Sequence, residues 1–160
     1  MTWRLPRAQY EEGKGAANRR AFKRRVESGM PPGVLAYEHA EPVGWCAVAP
    51  RAEYEYLARS RVLRPVDDQA VWSISCLLVA RPCRGRGVSV QLLRAAVDMA
   101  GQAGARIVEG YPVISRTGRM PDAFAWTGTL SAFRAAGFEE VARGSPSRPI
   151  MRAYPGHATR

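Results

Sequence analysis

Between Leu77 and Ser89 an apolar run ends in Arg81-Pro82-Cys83-Arg84-Gly85-Arg86-Gly87, and a helical pattern begins at Val88. A strand that turns into a helix through glycines leaves the first backbone N–H groups of the helix without helical partners. Those groups converge on one spot, and the helix dipole adds roughly half a positive charge there. Gly85 and Gly87 carry no Cβ, so an anion can approach the backbone closely. Arg84 and Arg86 supply formal charge beside them. The chemistry expected of residues 84–89 is the binding of a phosphate or pyrophosphate.

Two common phosphate loops are excluded. A Walker A loop needs Gly-x-x-x-x-Gly-Lys-Ser/Thr, which the chain lacks. A Rossmann fingerprint needs a third glycine, and Val90 stands in its place. The string Arg84-Gly85-Arg86-Gly87-Val88-Ser89 instead resembles the Arg/Gln-x-x-Gly-x-Gly/Ala signature of the GNAT family, the acyl-CoA-dependent N-acyltransferases. Ser89 departs from the usual Gly or Ala but is also small. The resemblance extends to Leu77-Leu78-Val79 before the turn and to Ala132-Phe133-Arg134-Ala135-Ala136-Gly137-Phe138 near the end. Glu109–Val113, Ala123–Gly128 and Ser147–Arg152 look like a bacterial branch of the same family, one that supplies no substrate.

The resemblance implies a fold, a cofactor and a reaction. The fold is an α/β mixed sheet flanked by helices and splayed at its middle, between strands ending near Val79 and Val113. Acetyl-CoA lies in the split, its pyrophosphate on Arg84, Gly85, Arg86, Gly87, Val88 and Ser89. The backbone of Leu77, Leu78 and Val79 meets pantetheine and the acyl carbonyl. A primary amine of a small molecule or peptide enters from the opposite side and attacks directly. The family's closing helix often carries a tyrosine that protonates the thiolate; Phe133 stands there, so that role does not carry over.

Acyl transfer to an amine requires a neutral amine, and an alkylammonium has a pKa near 10.4, so a base is useful. Glu109 is the one carboxylate inside an expected core strand, and burial tends to raise a carboxylate pKa. It is a candidate base, with pairing to an arginine such as Arg106 as the alternative. Tyr111 shares its face two residues on and is a candidate acid or pocket wall. Asp122, on the loop before the last helix, could face the amine. Trp45, Trp72, Phe124 and Trp126 are candidates for an aromatic acceptor pocket, Trp126 foremost. The three cysteines, Cys46, Cys76 and Cys83, form no Cys-x-x-Cys pair, and His39 and His157 stand far apart, so neither a metal site nor a cysteine–histidine nucleophile is expected.

These residues need a frame. Residues 2–5 read as a short strand, 9–28 as a basic helix, and 34–38 with 43–48 as a hairpin. A short helix follows over 53–60. The strongest strand is 71–79, apolar on both parities as a covered central strand should be. Val88, Leu92, Leu93, Ala96, Val97 and Ala100 form one helical stripe. A strand over 105–113, a polar loop over 115–122, a helix over 129–136 and strands over 138–142 and 149–154 complete the order. Alternation of strands and helices in the second half implies helices layered on a sheet.

At 160 residues the chain is sized for one domain, residues 1–160. No run of about 18 apolar residues is present, so no membrane helix is expected. The first residues lack the apolar stretch of a secretory signal, so the expected location is cytoplasmic. The balance of 24 Lys plus Arg against 14 Asp plus Glu gives +10, a field that attracts anions. The basic helix at 19–25 reads as a solvated face, and nucleic acid is not the expected partner. A homodimer stays open. The alternative to an acyltransferase is a GNAT-fold binding protein that senses acyl-CoA or contacts nucleic acid without turnover.

Overall fold

The computed structural model describes residues 2–114 and 126–156. The elements are α1 (Arg7–Glu12), α2 (Ala16–Glu27), β1 (Gly33–Glu38), β2 (Glu41–Pro50), α3 (Glu55–Arg59), β3 (Trp72–Val79), α4 (Val88–Gln102), β4 (Val108–Gly110), α5 (Leu130–Ala135), β5 (Glu139–Ser145) and β6 (Arg148–Ala153). The strands form one sheet in the order β1-β2-β3-β4-β6-β5. All pairs are antiparallel except β3 with β4. The expected mixed sheet flanked by helices is present.

The β3–β4 pair is short. Trp72, Ser73 and Ile74 lie opposite Val108, Glu109 and Gly110, and the pairing stops there. The strands part at the middle of the sheet, where the split was expected. A register shift in β2–β3 lets Val48 face Ile74 and Ala47 face Cys76, leaving Ser75 as an extra residue on β3. A bulge of this kind changes which face the following side chains take. Ile74 and Leu77 therefore both enter one core, although they are three residues apart.

That core lies under α4 and α5. Leu92, Leu93, Ala96 and Ala100 of α4 are buried against Cys46, Val48, Ile74 and Val108 of the sheet. Each buried leucine contributes on the order of 1.5–3 kcal/mol. Phe133 of α5 is fully buried, and a Cβ placed on Gly110 would sit 1.9 Å from its ring. Phe133 thus needs glycine opposite it on β4. The other face of the sheet carries a second core of Trp3, Ala49, Tyr54, Leu57, Leu63, Tyr111 and Ile150.

Several local expectations change. Residues 2–5 form turns rather than a strand, because Trp3 is buried against Tyr54 and Tyr56 instead of pairing along an edge. The helix expected over 9–28 is two helices. Gly15 has φ of 93° between them, a left-handed conformation that ends helical progression. The strand expected over 105–113 narrows to Val108–Gly110, since β3 leaves it beyond Ile74. The helix expected over 53–60 spans Glu55–Arg59. Among the described residues no helix is long and apolar enough to cross a membrane.

Candidate active site

The glycine turn has the geometry its sequence implies. Gly87 is the N-cap of α4 with φ of 80°, and Gly85 has φ of 75°. A Cβ at either position would meet no atom within 4 Å, so the backbone there faces open space. Arg84 is drawn back onto the strand end, its Nε donating to the Val79 carbonyl at 3.0 Å. Arg86 pairs with Glu38 at the β1–β2 hairpin, Nη1 lying 3.2 Å from Oε2. That ion pair holds the Glu38 carboxyl below its ordinary range and raises the Arg86 guanidinium. Arg86, expected to add formal charge beside the cradle, is thus paired with an acid of the hairpin.

A cavity of about 530 Å³ opens from the turn into the split. Its walls include Leu77, Leu78 and Val79, then Arg84, Gly85, Val88 and Ser89, with Val113, Trp126 and Ser131 opposite. The cofactor residues expected from sequence thus come together, with Arg86 and Gly87 outside this lining. The inner end of the split is bridged. The Leu77 N–H donates to the Trp126 carbonyl at 2.7 Å, and the Val113 N–H donates to the Gly128 carbonyl at 3.2 Å. By the two-residue alternation of a strand, the Val79 N–H points the same way as that of Leu77.

Trp126 also lines a second cavity of about 220 Å³ on the other face of the sheet. Trp3, Phe22, Trp45 and Tyr54 form aromatic walls, and Arg4, Ala47, Ser75 and Cys76 are among the other lining residues. The bulge at Ser75 is what delivers two consecutive β3 residues to this cavity. Trp45 and Trp126 therefore line one cavity. Trp72 packs against the opposite core instead, and Phe124 and Asp122 lie outside the described residues. Burial raises the Cys76 thiol, which leaves it a neutral wall group.

Glu109 and Tyr111 do share a face, and the Tyr111 hydroxyl donates to Glu109 Oε2 at 2.8 Å. Both residues are fully buried, and they line neither cavity. Arg152 Nε donates to Glu109 Oε1 at 3.0 Å, and Arg51 Nη1 lies 3.5 Å from Oε2. Arg51 also donates to the Tyr111 hydroxyl at 2.7 Å, and Ser73 Oγ lies 2.8 Å from that hydroxyl. Arg152 reaches on to Asp67, whose carboxyl this pairing pushes well below the usual carboxylate range. Burial, with the Glu109 charge beside it, pushes the Tyr111 hydroxyl up, so it stays protonated. The expectations of a base at Glu109 and an acid at Tyr111 do not fit these surroundings. Two guanidiniums hold the carboxylate, and neither group lines either of these two cavities. Arg51 and Arg152, rather than Arg106, are its partners.

The residues that sequence reasoning missed are Trp3, Arg4, Tyr54 and Ser75. Trp3 and Arg4 fall in a segment read as a strand. Nothing in the sequence marks the bulge that turns Ser75 toward them.

A split mixed sheet with a glycine cradle at a helix N-terminus defines an acyltransferase-type architecture, and the comparisons agree. Residues 1–111 match the model of the acetyltransferase (GNAT) family. The chain belongs to the GNAT acetyltransferase family. Among solved structures it is similar to a ribosomal-protein-alanine N-acetyltransferase from Brucella melitensis. The TM-score is 0.54 at 18% identity, over 86% of this chain and 76% of that one. It is also similar to a putative acetyltransferase from Salmonella typhimurium solved with acetyl-CoA, with a TM-score of 0.55 at 15% identity, over 89% and 75%. A third is the aminoglycoside acetyltransferase AAC(6')-Ib in complex with coenzyme A and kanamycin, with a TM-score of 0.50 at 20% identity, over 75% and 64%. At these identities the likeness is one of fold. No curated protein matches the chain by sequence.

Proposed function

We propose that this protein transfers acetyl from acetyl-CoA to a primary amine. The observation that carries the reading is continuity. The open glycine cradle at the N-terminus of α4, the 530 Å³ cavity and the parted strands β3 and β4 form one channel. That channel ends at Trp126, and an aromatic cavity lies behind it. The residues present fit the cofactor. A pyrophosphate fits unpartnered N–H groups at a helix start with no Cβ in the way. Val79 and its neighbours offer strand backbone to an amide-bearing arm. The acyl carbonyl belongs beside the backbone of Leu77–Val79, where N–H donors are worth most against the charge of a tetrahedral intermediate.

In the reaction the amine lone pair forms a C–N bond to the carbonyl carbon. The C–S bond breaks, and the proton released by the amine is available to the CoA thiolate. A thiol pKa of about 8.5, by analogy with cysteine, makes thiolate a fair leaving group near neutral pH. Phe133, in the core, has no part in this step. Glu109 and Tyr111 fit a positioning role, locking β4 against β6 and the segment around Arg51. Calorimetry with acetyl-CoA, followed by an acceptor screen that reads free thiol, tests the proposal. Absence of binding overturns it. Binding without thiol release from any amine favours the sensing alternative.

A further inference from the structure

We infer that the aromatic cavity behind Trp126 selects a small aromatic amine that carries a carboxylate, of which L-phenylalanine is the simplest probe. The inference rests on the acetyl-transfer reading for its reaction but not for its binding test.

Size comes first. At about 220 Å³ the cavity is smaller than the roughly 300–1,000 Å³ of sites that enclose drug-sized ligands. It suits one ring and a short arm. An oligosaccharide-sized acceptor does not fit inside it.

Shape and polarity come next. Trp3 meets Trp126 edge-on at 5.5 Å and Tyr54 edge-on at 6.3 Å, while Phe22 meets Trp45 edge-on at 6.1 Å. Such walls take a flat apolar body in edge-to-face contact.

Charge decides the remaining choice. Aromatic walls alone would also hold a bare ammonium through cation–π attraction. Among the described residues no Asp, Glu or His lines this cavity, and the one charged wall residue is Arg4. Arg4 lies over the Tyr54 ring at 4.6 Å, donates to the Tyr54 hydroxyl at 3.3 Å, and has a side chain only 7% exposed. Its carboxylate partner Glu53 is shared with Arg25, so two guanidiniums stand on one acid. Among the described residues this leaves a positive excess at the wall of a largely aromatic cavity, which favours an anionic group in the ligand and disfavours a second cation. A polyamine or an amino sugar, which brings several cations, meets no acid among the described residues of the wall.

Trp126 lines both cavities, which sets the amine-bearing end of such a ligand next to the reacting end of the split. The transfer itself is the one written above: the amine gains acetyl, CoA leaves as the thiol, and no other reactant is needed.

The test has a binding arm and a turnover arm. Trp3, Trp45 and Trp126 are three of the four tryptophans, so tryptophan emission reports on the cavity directly. L-phenylalanine added to the protein alone should change that emission saturably, and phenethylamine should bind roughly ten- to a hundredfold more weakly, the scale of a charge-assisted hydrogen bond. Arg4→Met, which keeps an apolar stem, should erase the difference between the two ligands. Should Arg4→Met fail to fold, Ala47→Leu fills the cavity from β2 and should abolish the response while CoA binding persists. With acetyl-CoA present, L-phenylalanine should release thiol faster than phenethylamine, spermidine or kanamycin. No emission response to L-phenylalanine, or preference for phenethylamine or spermidine, overturns the inference. Failure of CoA binding with the emission response intact overturns the acetyl-transfer reading and leaves the pocket standing.

Discussion

The backbone N–H of Leu77 donates to the carbonyl oxygen of Trp126 at 2.7 Å, across the gap where β3 and β4 separate. Together with the bond from the Val113 N–H to the Gly128 carbonyl, it bridges the inner end of the split. It also occupies a donor that the proposed reaction requires for the acyl carbonyl. One backbone N–H in this geometry serves one oxygen at full strength, so thioester and Trp126 compete for it.

The first prediction follows from that competition. Acetyl-CoA should displace the Trp126 carbonyl and shift tryptophan emission, and Trp126→Phe should remove most of the change. Calorimetry run alongside confirms that ligand is bound. A binding isotherm with unaltered wild-type emission would show that Trp126 stays where it is.

The second concerns the cradle. Gly87→Val should lower CoA affinity at least tenfold by placing a branched side chain in the open space the anion needs. The fold should survive, since no atom lies within 4 Å of the new Cβ and the left-handed backbone costs only about 1–2 kcal/mol. Gly104→Val is the control. It has φ of 87° and the same open surroundings at the other end of α4, so it carries comparable strain without touching the cradle. Equal loss of CoA binding in both variants would assign the effect to strain.

The third separates structure from catalysis at Glu109. Glu109→Gln leaves the partly buried Arg51 guanidinium without its acid and the buried Arg152 with Asp67 alone. Breaking a buried pair costs about 3–5 kcal/mol. At this chain length that corresponds to a fall in melting temperature on the order of 10 °C. Turnover at a temperature where the variant is folded should fall less than tenfold, against the roughly 10²–10⁴ of a lost general base. A larger loss, with an altered pH–rate profile, would restore Glu109 as the base.

The fourth is a pH dependence. The Arg152 guanidinium holds the Asp67 carboxyl below its unfolded value of about 3.9. A depressed carboxylate stabilises the fold fully above the unfolded pKa and loses that contribution as pH falls through the folded one. Chemical unfolding between roughly pH 5 and pH 2 should therefore show stability declining with acid. Asp67→Asn should decline less steeply. Parallel slopes would mean that the pairing with Arg152 contributes nothing.

The fifth tests the glycine opposite Phe133. Gly110→Ala should be poorly folded, because its Cβ would stand 1.9 Å from the buried ring. Adding Phe133→Leu should recover much of the loss, and circular-dichroism melts of single and double variants measure the recovery. A well-folded Gly110→Ala protein would show that β4 and α5 can separate freely.

Much of this molecule was readable from its residues because the signals were local. Gly85 and Gly87 between an apolar strand and an amphipathic helix specify their own backbone and leave N–H groups facing outward. The stripe of Leu92, Leu93, Ala96 and Ala100 specifies α4 and its buried face. The alternation in Glu109 and Tyr111 put both on one side of the chain through β4 and the residue after it. Each of these depends on residues a few positions apart, and the polypeptide's own geometry does the rest.

The tertiary structure alone decided what those groups touch. Glu109 reads in sequence as a lone strand carboxylate, yet its meaning comes from Arg51 and Arg152, 58 and 43 residues away. Arg86 reads as part of the cradle, yet Glu38, 48 residues off, claims it. The aromatic cavity draws Trp3, Phe22, Trp45, Tyr54 and Trp126 from five separate segments, and a bulge at Ser75 with no sequence signature aims β3 at it. Side-chain type and spacing set backbone conformation within a few residues. Charge pairing and cavity walls depend on which distant segments the sheet order brings into contact, and no local pattern encodes that order.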